Sequence, residues 1–144
     1  MVRITVNYDG DLHCCATHEP SQAQLATDAP TDNQGRGESF SPTDLVATAL
    51  ATCIPTILGI QAQQRGWDLT GMRVEVEKHM SEDAPRRITR LPVHIRMPVR
   101  LAREDRLLLE HAALTCPVHR SLHPDLEASI VMHWPDEGED GSGL

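Results

Sequence analysis

The chain has 144 residues, 40% of them hydrophobic and 24% charged, and carries a formal net charge of −8 at pH 7. That length suits one ordinary domain with a real core, held without disulfides or structural metal. The acidic balance argues against a nucleic-acid backbone or an anionic membrane as partner, since both demand a basic face, and leaves small molecules and proteins.

The opening "MVRITVNYDG" has no apolar leader pattern, so the expected location is the cytoplasm. In that reducing setting the four cysteines are expected to be reduced, catalytic or metal-binding rather than permanently paired. Val2, Ile4, Val6 and Tyr8 alternate onto one face, and the turn signal Asp9-Gly10 leads to "LHCCAT", which predicts a hairpin. A third strand is expected in "AQLAT", and "DAPTDNQGRGES" reads as a loop.

A long helix then starts at Ser41 as N-cap, with Pro42 in the first helical position and Asp44 three residues after the cap. Its apolar residues, from Leu45 through Leu50, Cys53, Ile54 and Leu58, recur at three and four, and Gly66 supplies the stop. "LVATALATCIPTILGI" is too short for a bilayer span, which needs about 18 to 20 apolar residues, and predicts a core helix covered on most sides by sheets or a second subunit. Pro55 cannot donate to the Ala51 carbonyl and predicts a kink in the turn carrying Cys53.

Two alternating segments follow, "MRVEVEKH" and "ITRLPVHIRM", with Pro92 marking the second as an edge strand or a bulge. "AREDRLLLEHAALT" is expected to be a helix with Leu107, Leu108 and Leu114 toward the core, "CPVHRSLHP" another turn or helix, and "ASIVMHW" a last strand. Residues 135–144 form an acidic, glycine-rich tail expected to be disordered, leaving residues 1–134 as a single α+β domain.

Two thiols carry the chemical argument. Cys116 precedes Pro117 and so falls at a helix N-cap, where unpaired N–H groups favour a thiolate, with His119 and Arg120 in the next turn. Cys53 lies about three turns into the long helix, beyond the dipole's reach, and needs a cation from elsewhere, for which Arg36 and the Arg120 region are the candidates. Cys14 and Cys15 are adjacent on a strand and point to opposite faces, so they cannot readily grip one ion. A zinc site would have to be assembled from Cys53, Cys116 and His119, and a thiol redox pair is the favoured use of the same residues. His94, next to apolar positions, reads as a structural residue rather than a base.

With "SPTDLVATALATC" heading the long helix and "CPVHRSL" well downstream, the chain resembles the OsmC/Ohr family of thiol-dependent hydroperoxide reductases, over nearly its whole length. The resemblance implies an intertwined homodimer with the long helices packed centrally, no metal and no bound organic cofactor. It further implies that Cys53 is the peroxidatic thiol attacking an organic hydroperoxide, that Cys116 resolves it as a disulfide, and that an external dithiol such as a lipoylated protein reduces the pair. Those roles reverse the local reading, in which Cys116 is the more acidic thiol. The chain departs from peroxidatic members at Thr43, where they carry a glutamate, and Asp44 is turned about 100° from that position on a helix. The pattern is similar to a divergent OsmC-like branch. The alternative is a non-catalytic dimer that binds a small apolar ligand in an interface pocket lined by the thiols.

Overall fold

The computed structural model describes residues 1–135. The expected tail lies, apart from Pro135, outside the described residues. Two compact units divide the chain, Met1–Val46 and the remainder from Ala47 onward.

The first unit is a three-stranded antiparallel sheet in sequence order: β1 (Ile4–Gly10), β2 (His13–His18) and β3 (Ala23–Asp28). The hairpin forms as expected, but it turns at Asp11 and Leu12, both at positive φ (52° and 62°), rather than at Asp9-Gly10. Gly10 instead takes a register shift after Tyr8, at φ 84°, where the absence of a Cβ makes the bulge inexpensive. One face of the sheet carries the rows Val6, Ala16, Leu25 and Tyr8, Cys14, Thr27, while Cys15 falls on the other face with Asn7 and Ala26. Alternation along β2 therefore separates the two thiols, as strand geometry requires.

A loop with a single 3-10 turn (Thr31–Asn33) leads from β3 to the long helix. Asp28, 6% exposed, holds it: its carboxylate accepts from His13 Nδ1 at 2.5 Å and from the Glu38 amide at 3.0 Å. Each bond favours the ionised acid, so His13 foremost, with a smaller contribution from Arg36, keeps Asp28 below its ordinary value, and Asp28 raises His13 in return. Gly35 passes so close to Ala29 that a Cβ would sit 1.6 Å from that residue's carbonyl oxygen, which only glycine permits.

α1 (Pro42–Arg65) begins with reciprocal bonds: the Ser41 amide donates to Asp44 Oδ2 at 2.8 Å, and the Asp44 amide donates to Ser41 Oγ at 3.1 Å. This capping box satisfies helix-start donors, as the sequence predicts. Gly66 at φ 72° ends the helix, and the Trp67 amide reaches back to the Ala62 carbonyl at 3.0 Å in a Schellman arrangement. Pro55 sits inside the helix without ending it. Thr52 and Thr56 flank it and return their hydroxyls to the carbonyls of Thr48 and Thr52, both at 2.8 Å.

The second unit holds every buried apolar side chain of the described residues. β4 (Arg73–Val76), β7 (Val93–Arg96) and β8 (Ile130–His133) form one sheet, with β4 antiparallel and β8 parallel to the central β7. β5 (His79–Met80) and β6 (Ile88–Arg90) form a separate antiparallel ribbon. Each long strand expected from alternation is thus two short ones. Pro92 lies at the break, where its carbonyl accepts from Glu77 at 3.1 Å, and the strand it introduces is central rather than at an edge. Leu50, Ile54 and Leu58 of α1 share the core with Leu91, Val93 and Ile95, all without solvent access. α2 (Arg103–Leu114) buries Leu109, Ala112 and Ala113, whereas Leu107 and Leu114, expected in the core, are 53% and 49% exposed. α3 (Pro117–Ser121) follows directly.

Candidate functional site

The central question is where α1 and α3 place their sulfurs. Cys53 projects from a half-buried position on α1, one residue from the Ile54 that belongs to the buried stripe Ala47, Leu50, Ile54, Leu58 and Ala62. Cys116 stands immediately before α3 as its N-cap, with Pro117 at the first helical position, as the sequence predicts. It has no solvent access, and its thiol lies close enough to Cys53 for that neighbour to favour its neutral form. The fold therefore joins two cysteines from distant parts of the chain, both reduced in this structure.

The electrostatics of Cys116 reverse the local expectation. Burial, first, and the neighbouring Cys53 thiol, second, push its thiol above the ordinary 9.0, because both favour the neutral form. The Val118 and His119 amides oppose this, but neither makes a capping hydrogen bond with the sulfur, and their influence is smaller. Cys116 thus holds its proton more tightly than its N-cap position alone would suggest. Desolvation, which a sequence does not display, outweighs the helix-start amides at this position.

The other predicted site residues are distributed as follows. His119 turns Nε2 to the Ala128 carbonyl at 3.2 Å, a bond that anchors α3 to the segment before β8. Arg120 is exposed on the same short helix. Thr43 Oγ1 lies 3.1 Å from Ser41 Oγ, and Asp44 closes the capping box, so both take part in starting α1. Arg36 is exposed in the loop of the first unit. Among the described residues no group of three His, Cys, Asp or Glu side chains is arranged to hold a metal, so Cys53, Cys116 and His119 do not assemble the alternative zinc site.

Sequence reasoning missed a second cluster. His94 Nδ1 and His133 Nε2 lie 3.0 Å apart on the exposed face of β7 and β8, their rings inclined by 18°. Alternation alone would put both on a solvent face, but the parallel pairing that joins them has no local signature.

The family model described as "OsmC-like protein" matches residues 35–130. The chain belongs to the OsmC-like family. A solved structure from Psychrobacter arcticus 273-4, named for an osmotic stress induced and detoxification response, is 44% identical, covers 92% of this chain and 96% of its own, and superposes with a TM-score of 0.87. The fold is shared more widely. An organic hydroperoxide resistance protein OsmC from Legionella pneumophila (15% identity, coverage 92% and 96%, TM-score 0.71) has it. So does an organic hydroperoxide resistance protein from Elizabethkingia anophelis (14%, coverage 92% and 94%, TM-score 0.74). No curated protein matches the chain. OsmC-like membership assigns the α+β architecture expected from the sequence.

Proposed function

We propose that this OsmC-like protein is a thiol-dependent peroxidase that reduces organic hydroperoxides in the cytoplasm as part of oxidative-stress defence. The observation that carries the reading is the meeting of Cys53, on α1, with the buried Cys116 thiol at the start of α3. Cys53 is the more accessible of the two cysteines and so the one that a hydroperoxide can reach.

In the proposed cycle the Cys53 thiolate attacks the terminal hydroperoxide oxygen. The O–O bond breaks, the alkoxide leaves and is protonated to the alcohol, and Cys53 becomes a sulfenic acid. The Cys116 sulfur then attacks that sulfur, hydroxide leaves and takes the Cys116 proton as water, and a Cys53–Cys116 disulfide remains. An external dithiol, of the kind a lipoylated protein carries, returns two electrons and two protons to reopen it. Arg36 and Arg120 are the proposed cation sources for the thiolate, and no metal or bound organic cofactor enters the cycle.

The functional form we propose is a homodimer. α1 is apolar, yet along its length only one stripe is buried, and Ile60 remains 46% exposed. In the first unit Val2, Ile4, Val6, Tyr8 and Leu25 are 46% to 65% exposed, and no apolar side chain is buried. A sheet without a core and a long apolar helix both call for a further surface, and a second copy supplies one.

The deciding experiment is intact-mass measurement after one equivalent of cumene hydroperoxide. Loss of about two hydrogens per chain, absent in Cys53→Ser, is the expected result for disulfide formation. An unchanged mass would instead favour the non-catalytic binding protein, and a Cys53→Ser protein that consumed hydroperoxide at the parent rate would remove Cys53 from the reaction. Faster turnover with cumene hydroperoxide than with hydrogen peroxide is expected of an apolar site.

A further inference from the structure

The three-stranded sheet of the second unit turns one side to the core and the other outward. β7 alternates cleanly, with Val93 and Ile95 buried and His94 and Arg96 exposed, and β8 places Met132 inward with Val131 and His133 outward. The two histidines of that outer face are not register partners. His94 pairs with Val131 and His133 with Arg96, yet the rings lean together along the diagonal until Nδ1 of one and Nε2 of the other stand 3.0 Å apart.

Two imidazole nitrogens at that distance share one proton, because two protonated rings would repel and two unprotonated nitrogens would face each other as lone pairs. A cation can take the proton's place. For a divalent transition metal with M–N bonds of about 2.1 Å, cis ligands at 90° have their nitrogens about 3.0 Å apart, whereas tetrahedral ligands stand about 3.4 Å apart. We infer that His94 and His133 form a two-histidine chelate for a divalent transition metal that prefers cis, 90° ligands, nickel(II) or copper(II), with water in the remaining positions.

The surrounding charges are mixed. Arg96 shares the face beside His133, and Arg73, its partner on β4, is engaged with Glu75 at 2.8 Å. Glu75 is the register partner of His94 and so brings a carboxylate to the same side of the sheet. Backbone hydrogen bonds on three strands fix the two Cα positions, so the chelate needs only rotation of the rings. The inference is independent of the thiol chemistry, because these residues lie on the outer face and Cys116 is in the interior.

The test is calorimetric titration of Ni2+ into the full chain, with His94→Ala, His133→Ala, His79→Ala and Cys53→Ser as companions. One Ni2+ per chain is expected, with affinity lowered about tenfold or more by either His94→Ala or His133→Ala and unchanged by the other two. In the unaltered protein, paramagnetic Ni2+ should broaden the amide signals of His94, Arg96 and His133 first, a readout that does not depend on any variant folding. Titrations of the two histidine variants that match the parent would overturn the inference, as would loss of binding in Cys53→Ser or broadening centred on Cys53 or His13.

Discussion

Replacement of Ile60 by alanine tests the proposed dimer through a side chain whose burial is known. In the single chain Ile60 keeps 46% of its surface open to solvent. Complete burial of an isoleucine stabilises by about 1.5 to 3 kcal/mol, so covering the open part is worth about 0.7 to 1.4 kcal/mol per copy. A symmetric dimer uses the residue twice, which gives about 1.4 to 2.8 kcal/mol, or a dissociation constant weakened roughly 10- to 100-fold. The monomer itself should lose little, because alanine is the better helix former and offsets part of the lost contact. Leu58, two residues earlier and without solvent access, provides the contrast: Leu58→Ala should cost about 2 to 5 kcal/mol of folding stability at any protein concentration. Sedimentation equilibrium across a dilution series, alongside urea unfolding, separates the two effects. A dissociation constant for Ile60→Ala within twofold of the parent would show that this face of α1 is not where a second copy packs.

Cys116→Ser should remove the resolving thiol, so that hydroperoxide adds about 16 Da per chain, one oxygen on Cys53, instead of removing two hydrogens; a normal loss of two hydrogens would assign resolution to another cysteine. The His13 and Asp28 pair should make folding stability depend on pH in two limbs. Because Asp28 is lowered from 3.8, its contribution is present above that value and lost as pH falls through the depressed one; because His13 is raised from 6.5, its contribution is present below 6.5 and lost as pH rises through the elevated one. The urea midpoint of the parent relative to His13→Asn should therefore be largest between these ordinary values, and a difference constant from pH 3 to 9 would contradict the pairing. Asp44→Ala opens the capping box and should cost about 0.5 to 2 kcal/mol, measured by urea unfolding; a loss within error would mean that Ser41 alone suffices to start α1.

Local chemistry decided which features could be read in advance. Ser41, Pro42, Asp44 and Gly66 act within a turn of their own positions, so both ends of α1 were legible, as was the placement of Cys116 before Pro117. Features settled by tertiary context were not. Gly10 could serve a turn or a bulge, and strand pairing assigned it the bulge. Leucines at 107, 108, 109 and 114 offer two helical faces of similar apolarity, and the core took the one containing Leu109 with Ala112 and Ala113. At the candidate site, the contact between Cys53 and Cys116 joins different elements, and the pKa of Cys116 depends on a burial that its neighbours in sequence do not predict. The histidine pair lies further still from local reading, because it requires the parallel return of β8 beside β7.

The uneven distribution of core has a consequence for synthesis. The ribosome delivers the first sheet before any of the residues from Ala47 onward that supply the buried apolar side chains. At about 5 to 20 residues per second, the roughly 100 residues that follow Val46 occupy about 5 to 20 s, and throughout that time the apolar side chains of the first sheet are open to solvent. Strand β1, with Ile4, Val6 and Tyr8 outward, is then an open template for other chains. The vulnerable period of this protein therefore extends past translation until a second copy packs, and a holding chaperone would be expected to engage strands β1 to β3 in preference to the rest.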